Sequence, residues 1–368
     1  MFQERAKIDL NELLKKAFKV GASDVHLRVK SPPILRISGN LVKTDLPSLE
    51  HSDILNFINQ ILPLEKRRQL PYIKDIDVAY SLPGVCRFRV NIFRQRGTFA
   101  IVMRLIPYNV PEIDELNLPA ILKEIALYQR GLVLVTGTTG SGKSTTLAAM
   151  LNELNRKDAR IVITIEDPIE YLHKDIKSHF YQREIGEDAE DFFTALRAAL
   201  REDPDVILVG EMRDTETVRT ALDAAETGHM VYSTLHTLDA KETVNRIISF
   251  FPLYEQQAIR FQLASVLRAT ISQRLLPRAD GRGRVPAVEI MIVTEAIKER
   301  ILNPDLTDEI PEFIAKGKEI YGSQTFDQSL YDLWKKGLIT REDALKYASR
   351  PDDLKLKMEG IFTGGEEI

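Results

Sequence analysis

The apolar positions of the chain follow helical spacing at its start and strand spacing soon afterwards. A helix over residues 9–21 would carry one apolar face, with Asp9 as a candidate N-cap and Gly21 as a candidate C-terminal stop. Strand-like alternation of apolar and polar positions follows at residues 24–30, 34–42 and 87–105, the last of which holds two strands. We therefore expect a small α+β domain over residues 1–106.

The pattern changes after this domain. Prolines and little periodicity predict a linker over residues 107–119. Continuous apolar strands separated by helices then predict a largely parallel sheet covered on both faces, in an α/β domain over residues 120–293. Amphipathic helices with a frayed tail are expected over residues 294–368. The predicted apolar strands of the α/β domain are residues 132–135, 161–165, 206–209 and 230–234.

Helical spacing also runs from residue 258 to residue 271, which predicts one core-packed helix there. Arg260, beside its apolar stripe, would pair with an acid or lie at an interface. The stripe consists of Ile259, Leu263, Val266, Leu267 and Ile271.

Composition excludes several classes of protein. With 368 residues, 44% hydrophobic and 28% charged, the chain is typical of a globular protein of two or three domains. One cysteine, Cys86, forms no internal disulfide and builds no thiolate zinc site, so a reducing, cytoplasmic setting fits. The net charge of −4 indicates no global attraction to nucleic acid or anionic membrane. No signal peptide or spanning segment is evident, so we expect any action at a membrane to occur by docking.

The strongest chemical motif is GTTGSGKS at residues 137–144, between an apolar strand and a helix. Glycines let such a loop curl its N–H groups around phosphate oxygens, while Lys143 meets the β- and γ-phosphates and the Ser144 hydroxyl ligates Mg²⁺. The predicted nucleotide-binding residues are Gly137, Thr138, Thr139, Gly140, Ser141, Gly142, Lys143, Ser144 and Thr145.

Acidic residues follow two of the predicted strands. Glu211 comes after residues 206–209, with Gly210 where P-loop enzymes commonly carry Asp, so Mg²⁺ coordination would depend on Ser144, Glu211 or water. The predicted strand at residues 161–165 is followed by Glu166, Asp167 and Glu170. Any of these acids could instead cap a helix or lie in a solvated loop.

Two histidines flank the strand at residues 230–234. Extended spacing separates them by about 20 Å, too far to share one ion. His236, at the carboxyl end, could contact a γ-phosphate, whereas His229, at the other end, is by its position alone a structural histidine.

Residues 78–111 contain no acid but five arginines. Three interpretations stay open: a solvated sheet face, nucleic-acid binding, or arginines that reach the nucleotide of a neighbouring subunit. The five are Arg87, Arg89, Arg94, Arg96 and Arg104.

Together these motifs resemble the secretion-type ATPases of type II secretion and type IV pili, and most closely the pilus retraction ATPases. The matching segments are the P-loop (residues 137–145), an acidic box (residues 165–171), an atypical Walker B segment (residues 206–213) and a histidine box (residues 227–236). The sequence AIRFQLA at residues 258–264 and the lack of a four-cysteine zinc motif favour the retraction branch.

The resemblance implies an N-terminal PAS-like domain, a RecA-like P-loop NTPase domain and C-terminal helices. It also implies ATP and Mg²⁺, a homohexamer with ATP shared between subunits, and a position at the inner membrane against the pilus platform protein, without direct nucleic-acid binding. The resemblance implies functional roles for both histidines and for the acids Glu166, Glu170 and Glu211. It also implies that arginines of the small domain act in trans on a neighbouring subunit. Arg89 and Arg104 are the leading candidates, followed by Arg87, Arg94 and Arg96.

We therefore expect Glu170 or Glu211 to orient a water for ATP hydrolysis, with movement of the small domain turning hydrolysis into force. The competing interpretations are a pilus extension or type II secretion ATPase, a nucleic-acid translocase, and a switch that binds nucleotide without hydrolysing it.

Overall fold

The computed structural model describes residues 8–37, 39–106 and 110–361, and the chain divides into two compact units. One unit comprises Met1–Asn109 with Glu170–Leu172, and the other comprises Val110–Ile169 with His173–Ile368. The first three residues of the predicted linker, beginning at Pro107, lie outside the described residues, as does the predicted frayed tail.

The first unit is a six-stranded antiparallel sheet with helices packed on it, in the strand order β3-β2-β1-β6-β5-β4. Asp9 is the N-cap of the first helix, as predicted, because its side chain accepts a hydrogen bond from the Glu12 N–H. Phe88, Val90 and Ile92 alternate into the core, where they meet the buried helix side chains. The elements are α1 (Leu10–Lys19), β1 (Ala22–Arg28), β2 (Ile34–Ile37), β3 (Asn40–Lys43), α2 (His51–Ile61), α3 (Leu64–Gln69), β4 (Asp75–Leu82), β5 (Cys86–Gln95) and β6 (Thr98–Ile106).

The second unit is built on a seven-stranded sheet in the order β13-β12-β7-β11-β10-β8-β9. All its strands run parallel except β13, which is antiparallel to β12. Apolar side chains on both faces, such as Leu132 and Val133 of β7, are fully buried under the helices. The elements are α4 (Ile121–Ile125), β7 (Gly131–Thr136), α5 (Lys143–Lys157), β8 (Ile161–Glu166), β9 (His179–Glu184), α6 (Phe192–Ala199), β10 (Val206–Val209), α7 (Thr215–Glu226), β11 (Met230–Leu235), α8 (Ala240–Ser249), α9 (Leu253–Val266), β12 (Leu267–Pro277) and β13 (Arg284–Ile292).

The predicted continuous helix over residues 258–271 is wrong. The helix ends at Val266, and Leu267 begins a strand that pairs with β7 on one side and β13 on the other. Thr270 and Ile271 are β-branched and buried within the sheet, so the strand pairs they gain outweigh the local helical spacing. Strands β4, β9 and β13 were also not predicted from the sequence.

The remaining residues form short helices that follow the sheet. None of the helices in the described ranges has both the length and the apolar character needed to cross a membrane. The helices are α10 (Glu295–Leu302), a 3-10 helix (Pro304–Glu309), α11 (Ile310–Lys316), α12 (Lys318–Tyr321), α13 (Phe326–Lys335), α14 (Arg341–Tyr347) and α15 (Pro351–Met358).

Candidate active site

Four parallel strands deliver the candidate residues to one edge of the sheet. Leu235 of β11 lies beside Thr136 of β7, and Val209 of β10 lies beside Ser233 of β11. β8 pairs with β10 on its other side. Because parallel strands end at the same edge, the loops after these strands bring the glycine-rich loop, His236, Glu211 and Glu166 to that edge.

The glycine-rich loop, residues 137–145, requires glycine at its first position and before the helix. Gly137 has φ 139°, and a Cβ there would lie 2.6 Å from the Gln273 carbonyl oxygen and 2.6 Å from Ser141 Oγ. Gly142 has φ 97° and forms the N-cap of α5 in the left-handed region. A side chain at either position would strain the backbone, so the motif's glycines are geometric requirements.

Lys143 begins α5 and folds back on the loop. Its Nζ donates hydrogen bonds to the Gly137 carbonyl at 2.8 Å and the Thr138 carbonyl at 3.2 Å. Ser144 and Thr145 follow in the first turn of the helix, while Thr138, Thr139 and Gly140 are exposed and Ser141 is buried. A helix N-terminus, a glycine loop and an ammonium group together form a site suited to phosphate.

Glu211 is held on both oxygens. His236 Nε2 lies 3.0 Å from Glu211 Oε1, and Arg213 Nη2 and Nε lie 2.8 and 2.9 Å from Oε2. The bond with Glu211 raises the pKa of Arg213 above its ordinary value, and Asp167, 3.8 Å away, adds to this. Arg213 was not predicted from the sequence as a functional residue, although its two-residue spacing from Glu211 was an available signal.

Gly210 fits a close approach between two strands. A Cβ at this position would lie 3.1 Å from the Ile165 carbonyl oxygen and 3.4 Å from both Glu166 Cα and Phe192 Cε1. Its N–H donates to that same Ile165 carbonyl, and its own carbonyl accepts from Thr234 Oγ1 at 2.7 Å. A side chain at position 210 would therefore be crowded by the neighbouring strand.

The acidic box is divided between the two units. Glu166, at the end of β8, has its Oε1 2.6 Å from Thr164 Oγ1 and 3.2 Å from Gln182 Nε2. Glu170 is exposed and belongs to the segment Glu170–Leu172 of the first unit. Within the second unit, Glu166 and Asp167 are thus the acidic-box carboxylates at the same sheet edge as Glu211.

His229 and His236 lie at opposite ends of β11, as predicted. The His229 Nδ1 lies 3.0 Å from the Ala224 carbonyl oxygen and 3.3 Å from Thr227 Oγ1, at the C-terminal end of α7. These bonds fit the structural interpretation reached from position alone. The functional role that the resemblance implies for His229 stays a prediction.

Two of the candidate arginines lie directly opposite each other in the first unit. Arg89 of β5 is the cross-strand partner of Arg104 of β6, and Arg104 is in turn the partner of Asp24 of β1. Arg104 Nε donates to Asp24 Oδ1 at 3.0 Å, while Arg89 Nε lies 3.9 Å from Asp77. Burial opposes ionisation of Asp24, but hydrogen bonds from Ser23 and Arg104 lower its pKa below the ordinary value.

The other candidate arginines differ in their surroundings. Arg87 shares the strand face of Arg89, two residues away on β5. Arg94 donates to the carbonyls of residues 71 and 73 and lies over the ring of Phe99, which gives it a packing role. Arg96 occupies a turn with φ 47°.

The chain is similar to known proteins both in sequence and in fold. Residues 3–327 match the family described as type II/IV secretion system protein. The chain is 45% identical over 346 residues to the type IV pilus retractation ATPase PilT of Pseudomonas aeruginosa, covering 94% of this chain and 100% of that protein. It is 44% identical over 322 residues to the twitching motility protein of Neisseria gonorrhoeae, covering 88% and 86%.

A solved structure has a similar fold. It is the crystal structure of the pilus retraction motor PilT with bound ADP, which superposes with a TM-score of 0.85 at 45% identity and covers 95% of this chain and 99% of that chain.

Proposed function

The chain belongs to the type II/IV secretion system protein family, and we propose that within it the protein is the ATP-hydrolysing motor of type IV pilus retraction. Two relatives are named a type IV pilus retractation ATPase and a twitching motility protein, and these names support a role in retraction. The protein is an ATPase. The observation that carries this proposal is the meeting of the phosphate-binding loop and the held carboxylate of Glu211 at one sheet edge.

The donor set at this edge fits Mg²⁺. Mg²⁺ prefers oxygen ligands and keeps several waters, so that one hydroxyl or carboxylate and the phosphates suffice. Across residues 8–37, 39–106 and 110–361, no three His, Cys, Asp or Glu side chains converge on a point that could hold a metal ion. Ser144 and Glu211 would hold the ion beside the nucleotide, where it would neutralise phosphate charge.

The chain's own residues divide the chemistry between them. Lys143, released from the Gly137 and Thr138 carbonyls, would pair with the β- and γ-phosphates. Glu211 would orient the attacking water, with Arg213 and His236 fixing its two oxygens. His236, which follows the carboxyl end of β11, would contact the γ-phosphate side of the site. Glu166 and Glu170 are the alternative bases.

We propose further that the protein works as a homohexamer in which Arg89 and Arg104, with Arg87 beside them, complete the site of a neighbouring subunit. An arginine supplied in trans stabilises the charge of phosphoryl transfer. Mixing two inactive variants tests this. Lys143→Ala subunits supply intact arginines and Arg89→Ala subunits supply intact loops, so mixed rings recover hydrolysis only if the arginine acts between subunits. No recovery in rings proven to be mixed would exclude that role for Arg89.

The partner that fits this function is the inner-membrane platform protein of the pilus, which would hold the motor peripherally at the cytoplasmic face. A deletion strain tests the direction of the motor. Loss of a retraction motor leaves cells with excess pili and no twitching, whereas loss of an extension or secretion ATPase leaves cells without pili. Stimulation of hydrolysis by polynucleotide, steeply lost with salt, would instead favour a nucleic-acid translocase.

A further inference from the structure

Gln273 has a buried polar side chain and none of the proposed roles in ATP binding or hydrolysis. It lies on β12 and is 3% exposed. Its neighbour Ser272 lies beside Thr136, the residue that precedes the glycine-rich loop, and Thr136 Oγ1 donates to Ser272 Oγ at 2.9 Å. Strand pairing therefore brings Gln273 to the point where the loop begins.

Gln273 contacts both ends of the loop. At the beginning, its carbonyl oxygen would lie 2.6 Å from a Cβ on Gly137, so the two backbones are in direct contact. At the end, its side-chain Nε2 donates to Thr146 Oγ1 at 2.8 Å, in the first turn of α5. A single residue of β12 thus contacts residues 137–146 at their first and at their last position.

The side-chain bond is shielded from water, since Thr146 is only 2% exposed. Removing one partner of such a bond leaves the other buried and unsatisfied, which costs more than an exposed bond is worth. Gln273 Oε1 has no hydrogen-bond partner among the described residues. A methionine side chain would fill a similar volume without burying an unsatisfied amide oxygen. We therefore attribute the presence of an amide at position 273 to the geometry that its hydrogen bond to Thr146 imposes.

We propose that Gln273 is a positioning residue for nucleotide binding, which fixes the first turn of α5 against β12 and so holds the loop in its phosphate-binding geometry. It acts through Thr146, and the groups that would touch the phosphates are Lys143 and the loop amides. The proposal rests on the proposed function, because it assumes that residues 137–145 bind nucleotide phosphates. Displacements of about 1 Å at such a site can cost about 100-fold in activity.

The test measures ADP binding in the presence of Mg²⁺ by calorimetry on the full-length protein. Gln273→Met and Thr146→Val each remove the bond at nearly constant volume. We expect each to weaken ADP binding about tenfold, because the first turn of α5 would then no longer be fixed against β12. The double variant should bind no more weakly than the weaker single variant. Thr146→Ser keeps the hydroxyl and should bind within about twofold of wild type.

Gln328→Met is the matched control. Gln328 is also buried, at 9% exposure, and its Nε2 donates to the Ala315 carbonyl within the C-terminal helices. We expect this variant to lower the melting temperature without weakening ADP binding, which separates loop positioning from general destabilisation.

Three results would overturn the inference: ADP binding within about twofold of wild type in both single variants, additive losses in the double variant, or equal weakening by Gln328→Met. If Gln273→Met does not fold, the comparison of Thr146→Val with Thr146→Ser decides alone. Failure of the wild type to bind ADP would overturn the proposed function itself, and it is recognised without any variant.

Discussion

Arg213 holds Glu211 by a single carboxylate oxygen, with its Nη2 and Nε at 2.8 and 2.9 Å from Oε2. The other oxygen, Oε1, faces His236 Nε2 at 3.0 Å. The candidate catalytic carboxylate is therefore oriented from two sides by residues of different loops. Such positioning matters because a general base acts only when it is within hydrogen-bond reach of its water.

Replacing Arg213 should slow hydrolysis without preventing nucleotide binding. Arg213→Gln removes the two guanidinium N–H contacts to Glu211 Oε2, so we expect kcat to fall about tenfold or more, a part of the ~10²–10⁴-fold that a positioned acid or base contributes. Arg213→Lys should recover part of the loss. Arg219→Gln removes an ion pair with Glu255 outside the site and serves as the control. If steady-state kinetics give Arg213→Gln the kcat of the wild type, Glu211 does not need its contact with Arg213 for hydrolysis.

Removing the Lys143 ammonium group should abolish both nucleotide binding and hydrolysis. The side chain is the cation nearest the loop carbonyls of Gly137 and Thr138, and no other residue of the loop carries a positive charge. We expect Lys143→Ala to lose at least about 100-fold in hydrolysis, the scale of removing a group that stabilises developing charge. Lys298→Ala, on α10, is the control. ADP titration gives the binding, and a variant that binds ADP like the wild type would refute this role.

A side chain at position 210 should destabilise the second unit. The Cβ of Gly210→Ala would lie 3.1 Å from the Ile165 carbonyl oxygen, a backbone atom of the neighbouring strand that cannot rotate away. Overpacking of this kind costs about 1 to 3 kcal/mol, or several degrees in melting temperature. Gly210→Asp, which restores the common P-loop pattern, should cost more. Thermal unfolding checks both, and an Asp variant as stable as wild type would contradict the steric explanation.

Glu289 should make stability depend on pH. It is buried on β13 and accepts a hydrogen bond from the Ala240 N–H. Burial raises its pKa to about 7; Asp239 and Asp327 add to the rise, while the Ala240 bond and Arg274 oppose it. Because the folded pKa exceeds the unfolded value, the folded state binds the proton more tightly. Its stabilising contribution is full at acidic pH and is lost as pH rises towards about 7.

Glu289→Gln removes this titration. We expect the variant to melt several degrees above wild type at pH 8, with the difference closing towards pH 5, since one pKa unit corresponds to about 1.4 kcal/mol. Melting curves across this range measure it. A constant difference at every pH would mean that Glu289 does not titrate in this way.

Much of the fold could be predicted from sequence because its signals are local. The apolar strands β7, β8, β10 and β11 are flanked by helices, and this alternation gave the α/β class that the PilT likeness confirms. The helix predicted through Ile271 failed because residues 267–271 satisfy helical spacing as well as strand alternation. Pairing with β7, which is distant in sequence, and with the following strand β13 decides between the two.

Candidate site residues could be named from the sequence where they lie in a contiguous motif. Residues 137–144 predict a phosphate-binding loop, and the family resemblance that included Glu211 and His236 is confirmed by the match over residues 3–327. Gln273 was not predictable in the same way, because its proposed role depends on a contact with Thr146, and a contact between side chains on different elements has no single-sequence signal. Arg213 lies two residues from Glu211 in the same loop, but this spacing alone does not show that the two side chains meet.

The most direct test of the whole account is Glu211→Gln, which keeps the side chain's size and removes its charge. Steady-state ATP hydrolysis and ADP binding should be measured on the variant and the wild type together, each with its mass in solution. We predict that the wild type hydrolyses ATP continuously, and that Glu211→Gln assembles and binds nucleotide like the wild type but hydrolyses it at least about 100-fold more slowly. Hydrolysis by Glu211→Gln at the wild-type rate would contradict the account, because the carboxylate at its centre would then have no part in the reaction.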